Sequence, residues 1–459
     1  VKRRAQYLSS RYLYYGIFQH WRQPMRVAAR RELLANLERS PAEIEEIQRQ
    51  KLVRLVHHAY EHTPYYRRLF QELGLQPSAI QEAGDLTKIP LLAKRDIQEN
   101  REDLIARSMP EGQGATRLVP TGGSTGDPFQ YVQDDRSWSI SIASIERGYD
   151  LAGWTPGDPA AIVWGRPLDR SKKKALKYRL VDAGINQLFL DSYGMSRQDM
   201  ARYARELRSF QPRLLVGFSA SLIALVHLMR DEGIGGIKPN AIVTTAETLF
   251  PTQRALLEEF FDCPVFDRYG TTEAATAAHE CIAHRGYHLF TDLHVVEFLT
   301  DDGKPVSGSP GHIAVTNLDN YAMPLLRYMV GDVGTLSEKR CSCGLPFPVM
   351  STLEGRATDL VTTPSGRIIH GLLLNRLMAG VPGVRRFQAI QETPGELTIL
   401  VVPGPEFEPT ALPSVEAAIH ENIDPQLRVH AMVVENIEHG ASGKHRYIVS
   451  KVPAHLTGE

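Results

Sequence analysis

No stretch of this chain is long and apolar enough to cross a bilayer as a helix. The longest candidate, Leu214 to Met229, is broken by Gly217, Ser219, Ser221 and His227 and falls short of the roughly 20 residues a span needs. A buried helix, capped at Ser219 or Ser221 and stopping near Gly233, accounts for it. The first residues lack the short basic region, apolar core and small-residue cleavage site of a secretory leader, so a cytoplasmic protein is expected. Cysteine is scarce, with four among 459 residues, which excludes a disulfide scaffold. A dominant sign of charge is missing too: 52 Lys and Arg against 53 Asp and Glu leave a net charge of −1. That removes any global pull toward nucleic acid or acidic membranes. Neither a nucleic-acid partner nor stable membrane insertion is therefore expected. Locally, residues 1–70 carry fourteen Lys and Arg against six Asp and Glu. This is read as a solvated helical face in preference to a membrane or partner contact.

What is present reads as an α/β protein of two or three domains. Residues 1–100 are expected to be mainly helical, because Leu34, Leu37, Ile44, Ile47, Leu52, Leu55 and Val56 recur at helical spacing. Short apolar runs then alternate with helical segments. Ala160–Trp164, Leu214–Val216 and Ala241–Thr245 read as buried parallel strands. Residues 286–335 look antiparallel, with strands near Val295–Leu299 and His312–Thr316. The character changes after Gly355-Arg356. Residues 1–355 are expected to form a large domain and 356–459 a small α+β domain, with strands near Leu397–Val402 and His430–Val434 and a helix near Val415–Asn422. There are no internal repeats and no low-complexity tract.

The stretch Thr121-Gly122-Gly123-Ser124-Thr125-Gly126-Asp127-Pro128-Phe129 carries the strongest local signal. Three glycines free the backbone for positive φ and let its N–H groups approach an anion. Thr121, Ser124 and Thr125 add hydroxyl donors. Flanked by Arg117–Pro120 and Phe129–Val132, it reads as a strand–loop–strand phosphate cradle. It is not a Walker loop, since the Lys-Ser/Thr end and the following helix are missing. Alone it would weigh no more than a turn. It is followed in order by Tyr269-Gly270-Thr271-Thr272-Glu273, Arg327-Tyr328-Met329-Val330-Gly331-Asp332, Gly355-Arg356 and Ser442-Gly443-Lys444.

Together these five motifs resemble the adenylate-forming superfamily of acyl-CoA synthetases, adenylation domains and luciferases. Within it they match best the phenylacetate–CoA ligase-like branch, which includes proteins of capsular polysaccharide biosynthesis. The resemblance runs from about Gln48 to the end. It implies a large multi-sheet adenylating domain and a small mobile C-terminal domain that rotates between two half-reactions.

The resemblance also assigns roles. Thr121 to Gly126 would hold ATP phosphates. Tyr269 would stack on adenine next to Gly270, and Thr272 and Asp267 would join the nucleotide contacts. Ala246-Glu247 resembles a second nucleotide-contacting segment. Asp332, acceptor-only when ionised, suits the ribose hydroxyls. Glu273 is a hard oxygen ligand for Mg²⁺. Arg356 would support ribose and phosphate, and Lys444 would reach the α-phosphate and carboxylate, where a cation stabilises the developing charge. Arg327 reads as a structural arginine paired with a core acid. The acid substrate would lie near Trp164, Gly165, Phe218, Ala246 and Tyr269 to Ala275, including Ala274. The sequence departs from the family at Asp127, where a Lys is usual, and at Thr358, where the hinge residue is usually Asp or Lys. The run Arg170-Ser171-Lys172-Lys173-Lys174 reads either as a contact for coenzyme A phosphates or, more simply, as a solvated face.

The cysteines hold a second pattern. Cys281 and His284 form a C-x2-H pair, and Cys341 and Cys343 a C-x-C pair. Three thiolates and an imidazole make a closed structural zinc set. His288 is a spare ligand, and a redox pair or plain reduced thiols are the alternatives. Cys263 reads as a core residue.

The leading expectation is ATP-dependent adenylation of a carboxylic acid, aryl or arylacetic by the small residues Ala274, Ala275 and Ala277, followed by transfer to coenzyme A. An amine or a carrier-protein thiol as acceptor, adenylylation of a hydroxyl, and a non-catalytic scaffold stay open. Members of the branch are often dimers, so a homodimer is compatible with the resemblance.

Overall fold

The computed structural model describes residues 6–120, 130–165, 181–192, 197–356, 361–364, 368–369, 374, 377–378, 381–393, 395–437 and 446–452. The loop at 121–129, the basic run from Arg170, Thr358 and Lys444 lie outside the described residues.

The N-terminal part is helical, as its periodicity predicts. A π-helix, Ser9–Phe18, leads through a short turn of helix, Gln19–Arg22, into α1 (Pro24–Ala35), α2 (Pro41–His62) and α3 (Pro64–Glu72). Helix α2 starts at a full capping box: the Ser40 side chain accepts from the Glu43 N–H, Glu43 returns the bond to the Ser40 N–H, and Pro41 occupies the first turn. Pro64 ends it by forcing Thr63 into an extended conformation, ψ 125°. Its stripe of Leu52, Leu55, Val56 and Ala59 is fully buried against the antiparallel strands that follow.

The centre is one mixed sheet of eleven strands. Its parallel half comprises β3 (Ala160–Trp164), β4 (Gln187–Asp191), β5 (Leu214–Gly217), β6 (Ala241–Thr245) and β7 (Val265–Tyr269). They lie side by side in the order β4-β3-β5-β6-β7. Helices α5 (Arg197–Phe210), α6 (Ser219–Asp231) and α7 (Pro251–Phe261) make the crossovers from β4 to β5, β5 to β6 and β6 to β7, since parallel neighbours cannot be joined by a tight turn. The chain runs from β3 outward to β4 and then returns past β3 to β5. The direction of winding therefore reverses between β3 and β5.

The antiparallel half contains β10 (His294–Leu299), β11 (Pro310–Asn317), β12 (Tyr328–Leu336) and β13 (Val349–Arg356). It is continuous with the parallel half through a small hairpin, β8 (Ala278–Glu280) and β9 (Tyr287–Leu289), with β8 beside β7 and β9 beside β13. A separate hairpin, β1 (Thr116–Pro120) with β2 (Gln130–Asp134), pairs Pro120 with Gln130 and so forms the stem of the glycine-rich loop. In the C-terminal part, β14 (Val384–Gln391), β15 (Glu396–Pro403), β16 (Arg428–Val433) and β17 (Ile448–Ser450) form a four-stranded sheet packed on α8 (Leu412–Asn422), with its own apolar core.

A buried ion pair locks the N-terminal helices to the sheet. Arg147, on α4 (Asp135–Leu151), is fully buried. It donates to both oxygens of Asp292 at 2.7 and 3.1 Å. Asn36 donates to the same carboxylate at 2.9 Å, and the guanidinium lies 3.7 Å from the Phe290 ring centre. The Arg147 guanidinium holds the Asp292 carboxyl below its usual range against the opposing effect of burial. Removing one partner strands a buried charge, which costs about 3–5 kcal/mol, whereas replacing both with apolar groups is far cheaper. Arg147→Met is expected to lower urea stability by about that amount and Arg147→Met/Asp292→Leu to recover most of it; equal losses in single and double variants would contradict this.

Candidate active site at the carboxyl edge of the sheet

Open parallel sheets bind ligands outside the carboxyl ends of their strands, at the point where the winding reverses. Here that point is flanked by Trp164, which ends β3, and Phe218, which follows β5; their ring centres are 4.2 Å apart. Gly165 follows Trp164 and is buried. Ala246 follows β6 with φ 68°, a left-handed turn that redirects the chain at this edge. Tyr269 and Gly270 follow β7. Four of the expected segments thus converge on one edge because each sits at the same end of a neighbouring strand.

Gly270 is dictated by close approach. A Cβ there would lie 1.8 Å from the Ala275 carbonyl oxygen, so the 271–275 turn folds back over it only because it has no side chain. The turn is pinned by the Thr271 hydroxyl accepting from the Ala274 N–H at 3.1 Å and by the Ala277 N–H donating to Tyr269 at 3.0 Å. Thr272 lies within it, and Ala274 is buried beneath it. Glu273 is mostly buried, and its carbonyl is held by Asn317 at 2.7 Å and by the Tyr131 hydroxyl at 3.3 Å. Asn320 in turn donates to Tyr131 at 2.8 Å. This network fixes Glu273 from the two-stranded hairpin and from the loop after β11 together. Sequence reasoning missed it, because Tyr131, Asn317 and Asn320 belong to no recognisable motif.

The Tyr269 hydroxyl donates to Asp332 at 2.8 Å. That bond ties the end of β7 to β12 across the two halves of the sheet. Asp332 pairs with Arg356 in the β12–β13 ladder, which places the ribose candidate and this arginine opposite each other along the backbone; the Arg356 side chain lies outside the described residues. Gly355 has φ 92°, which only glycine adopts cheaply. Arg327 is structural, as expected: it forks onto Glu297 at 2.9–3.1 Å and donates to the Ile89 carbonyl at 2.6 Å.

Two residues expected at the nucleotide hold protein partners in the structure. Asp267 is 1% exposed and sits inside β7. Its two oxygens accept from Thr244 at 2.7 Å and Tyr287 at 2.8 Å, so the carboxyl is built into the layer under the site. Burial first, and then the neighbouring Glu280, push it up to about 7. Glu247 spends Oε2 on the start of α6, accepting from the Ala220 N–H at 2.8 Å and the Ser219 hydroxyl at 3.1 Å. It acts as a helix cap from a distant loop.

The cysteine cluster also differs from expectation. The sulfurs of Cys281, Cys341 and Cys343 converge with His288, all ligand atoms lying within 4.8 Å of one another. His284, expected as the fourth ligand, turns away. Its φ of 47° places it in a left-handed turn, where the ring stacks 4.8 Å from Phe266 and Nδ1 is 3.5 Å from Glu280. His288, one strand later, points Nε2 at Cys343 Sγ, 3.2 Å away. The Cys281–Cys341 separation of 3.7 Å excludes a disulfide. It matches the S···S edge of about 3.8 Å that a tetrahedral site with 2.3 Å metal–sulfur bonds requires. The donor set fits a closed zinc site. Cys263 is apart from it, in the apolar packing beside α7, where burial pushes its thiol up to about 12.

The C-terminal sheet meets this edge through Tyr447. Its ring packs perpendicular to Phe250 with centres 5.0 Å apart, and its hydroxyl accepts from Gln253. Both partners lie at the start of α7, just after Ala246 and Glu247.

Residues 361–451 match the family model of the CapK C-terminal domain. The chain is 26% identical over 334 residues to a phenylacetate-coenzyme A ligase of Thermus thermophilus, covering 71% of this chain and 73% of that one. It is 25% identical over 288 residues to protein CapK of Staphylococcus aureus, covering 62% of each. A 2-hydroxyisobutyryl-CoA ligase in its postadenylation state, in complex with 2-HIB-AMP, superposes with a TM-score of 0.76 at 18% identity, covering 91% of both chains. The same ligase in its thioesterification state gives 0.60. The fold is that of the adenylate-forming ligases. In sequence the chain is similar to phenylacetate-coenzyme A ligases at 25–28% identity.

Tyr269→Phe is expected to weaken ATP binding about tenfold, the size of one hydrogen bond to a charged group, with little change in thermal midpoint; isothermal titration and calorimetry separate the two. Unchanged affinity would remove Tyr269 from positioning Asp332. A second test concerns Asp267. Its folded carboxyl titrates near 7 against about 3.9 when unfolded, so between these values the folded state binds more protons. Its contribution to stability is therefore lost as pH rises from about 4 to about 7. The fall in thermal midpoint between pH 5 and pH 8 should be shallower in Asp267→Asn, and parallel curves would refute the assignment.

Proposed function

We propose that this protein activates a carboxylic acid with ATP and passes the acyl group to coenzyme A. The observation that carries the reading is the carboxyl edge itself. There the Trp164–Phe218 stack flanks the switch point, and the Tyr269–Asp332 pair and the fixed Glu273 turn follow β7, two strands beyond β5 along the same edge. In the first half-reaction a carboxylate oxygen attacks the α-phosphorus of ATP and pyrophosphate leaves. In the second, the thiol attacks the acyl carbonyl and AMP leaves. Asp332 would accept the ribose hydroxyls, held in place by Tyr269. Glu273 is the residue that would hold Mg²⁺, whose role is to neutralise charge on the phosphates. The loop at 121–126 would bind the β- and γ-phosphates through backbone N–H groups and hydroxyls, without the usual cation because Asp127 replaces Lys.

We assign the α-phosphate cation to Lys444. Its support is the docking of Tyr447, three residues later, at the start of α7. Three residues of chain span roughly 10 Å. The boundary near residue 356 would let the C-terminal unit release this contact and rotate for thioester formation. An aryl or arylacetic acid is favoured, because Trp164 and Phe218 offer aromatic surface and Ala274, Ala275 and Ala277 leave space. Zinc at Cys281, His288, Cys341 and Cys343 would be structural, since all four positions are filled by protein and none remains for water.

The test is carboxylate-dependent ATP–pyrophosphate exchange over a panel of aryl, arylacetic, fatty and amino acids, with thioester formation followed in parallel. Exchange with ring acids, abolished by Lys444→Ala, supports the assignment; ATP binding without exchange for any acid would contradict it. For the metal, about one zinc per chain is expected by elemental analysis. Cys343→Ser should lose it together with several degrees of thermal midpoint, and a metal-free wild-type protein of full stability would overturn the site.

A further inference from the structure

The first 31 residues contain eight Lys and Arg and no Asp or Glu, in a chain whose net charge is −1. Arg26 and Arg30 are consumed by Glu146 and by Asp150 at 2.5 Å, which straps this segment onto α4. Tyr15 adds an edge contact to Trp154, and Ser10 and Gln19 are buried. One side of the segment is therefore fixed to the protein. Arg11, Arg22 and Arg31 have no carboxylate partner among the described residues, and Lys2, Arg3 and Arg4 precede them in sequence.

The opposite side is apolar and bare. Tyr12, Leu13, Ile17 and Trp21 are 61, 59, 65 and 73% exposed, and Leu8 and Phe18 are exposed beside them. The π-helical winding is what collects them. An α-turn takes 3.6 residues, and at that pitch Leu8, Leu13, Ile17 and Trp21 would be spread around the cylinder. The i→i+5 winding takes roughly one residue more per turn. Residues four and five apart then share a face, and Leu8, Tyr12 with Leu13, Ile17 and Trp21 form one outward stripe. Arg22 stacks over Trp21 at 5.3 Å and Arg11 lies over Tyr7 at 5.7 Å, so cations border the stripe.

We propose that this stripe is a docking surface for an anionic lipid bilayer, with the segment lying in the interface plane. An outward row of Trp, Tyr, Ile and Leu edged by arginines, without any acid, is the chemistry that a headgroup layer over acyl chains rewards. Ordinary protein partners offer no reason for a complete absence of acidic residues. The strap to α4 holds the stripe outward in the free protein, so docking requires no refolding. This surface orients the ligase against a membrane without spanning it.

The test is co-sedimentation of the full chain with vesicles of phosphatidylcholine alone or with about 30% phosphatidylglycerol. Binding to the anionic vesicles is expected to exceed binding to neutral ones by about tenfold, to fall in about 0.5 M salt, and to fall at least as far in Ile17→Gln/Trp21→Gln. The substituted side chains are exposed, so the thermal midpoint should stay put, and Arg22→Glu tests the charge separately from the apolar stripe. Equal binding of wild type and both variants overturns the proposal. So does a self-associated wild type, by light scattering, that becomes monomeric in the double variant and binds no vesicle, since the stripe would then serve a second copy of this chain.

Discussion

The hydrogen bond between Tyr269 and Asp332 spans 63 residues of sequence and two styles of sheet. Tyr269 ends the last parallel strand, and Asp332 sits within an antiparallel ladder. On the function proposed above, neither half of the sheet alone would hold the nucleotide. The parallel half provides the carboxyl edge with its aromatic stack. The antiparallel half provides Asp332, proposed above as the acceptor for ribose, and the strand that ends at Arg356. Their relative position is set by the small β8–β9 hairpin, which pairs with both. The thiol–imidazole cluster sits at this seam, two ligands on the hairpin and two in the β12–β13 connection. A metal there would stiffen the joint on which the Tyr269–Asp332 distance depends.

Rigidity elsewhere serves the same end. The Arg147–Asp292 pair and the Arg327–Glu297 fork are desolvated and bidentate, so their geometry is specified closely even where their net contribution to stability is small. The contact between the C-terminal sheet and this platform is of another kind: an edge-on ring and one hydrogen bond at Tyr447. A contact of that size can be broken and remade, which suits the rotation proposed above for the C-terminal unit.

Strand positions were legible in the sequence because burial on both faces leaves continuous apolar runs, as at Ala160–Trp164 and Ala241–Thr245. The Tyr269-Gly270 and Gly355-Arg356 motifs were legible because each stands where a strand ends. Register and side-chain direction were not. His284 and His288 are equally plausible ligands by spacing; the left-handed turn at residue 284 decides between them. Asp267 reads as a site residue because it stands two before Tyr269, but strand geometry sends it into the Thr244–Tyr287 layer. Glu247 reads as a nucleotide contact, and one of its oxygens instead caps a helix that begins 28 residues earlier. The hold that Tyr131, Asn317 and Asn320 exert on Glu273 is invisible without the fold. So is the π-winding that gathers the N-terminal apolar stripe.

The chemistry at the carboxyl edge can be traced atom by atom. A carboxylate labelled with ¹⁸O in both oxygens, supplied with ATP and coenzyme A, distinguishes the routes to a thioester. If the carboxylate attacks the α-phosphorus, one labelled oxygen remains on phosphorus when the thiol displaces AMP, and mass spectrometry finds AMP heavier by one ¹⁸O. That is the result expected here. Label in orthophosphate would mean an acyl phosphate formed at the γ-position, and unlabelled AMP would mean that the nucleotide is transferred to something other than the acid. Either outcome would contradict adenylation of a carboxylate at this site.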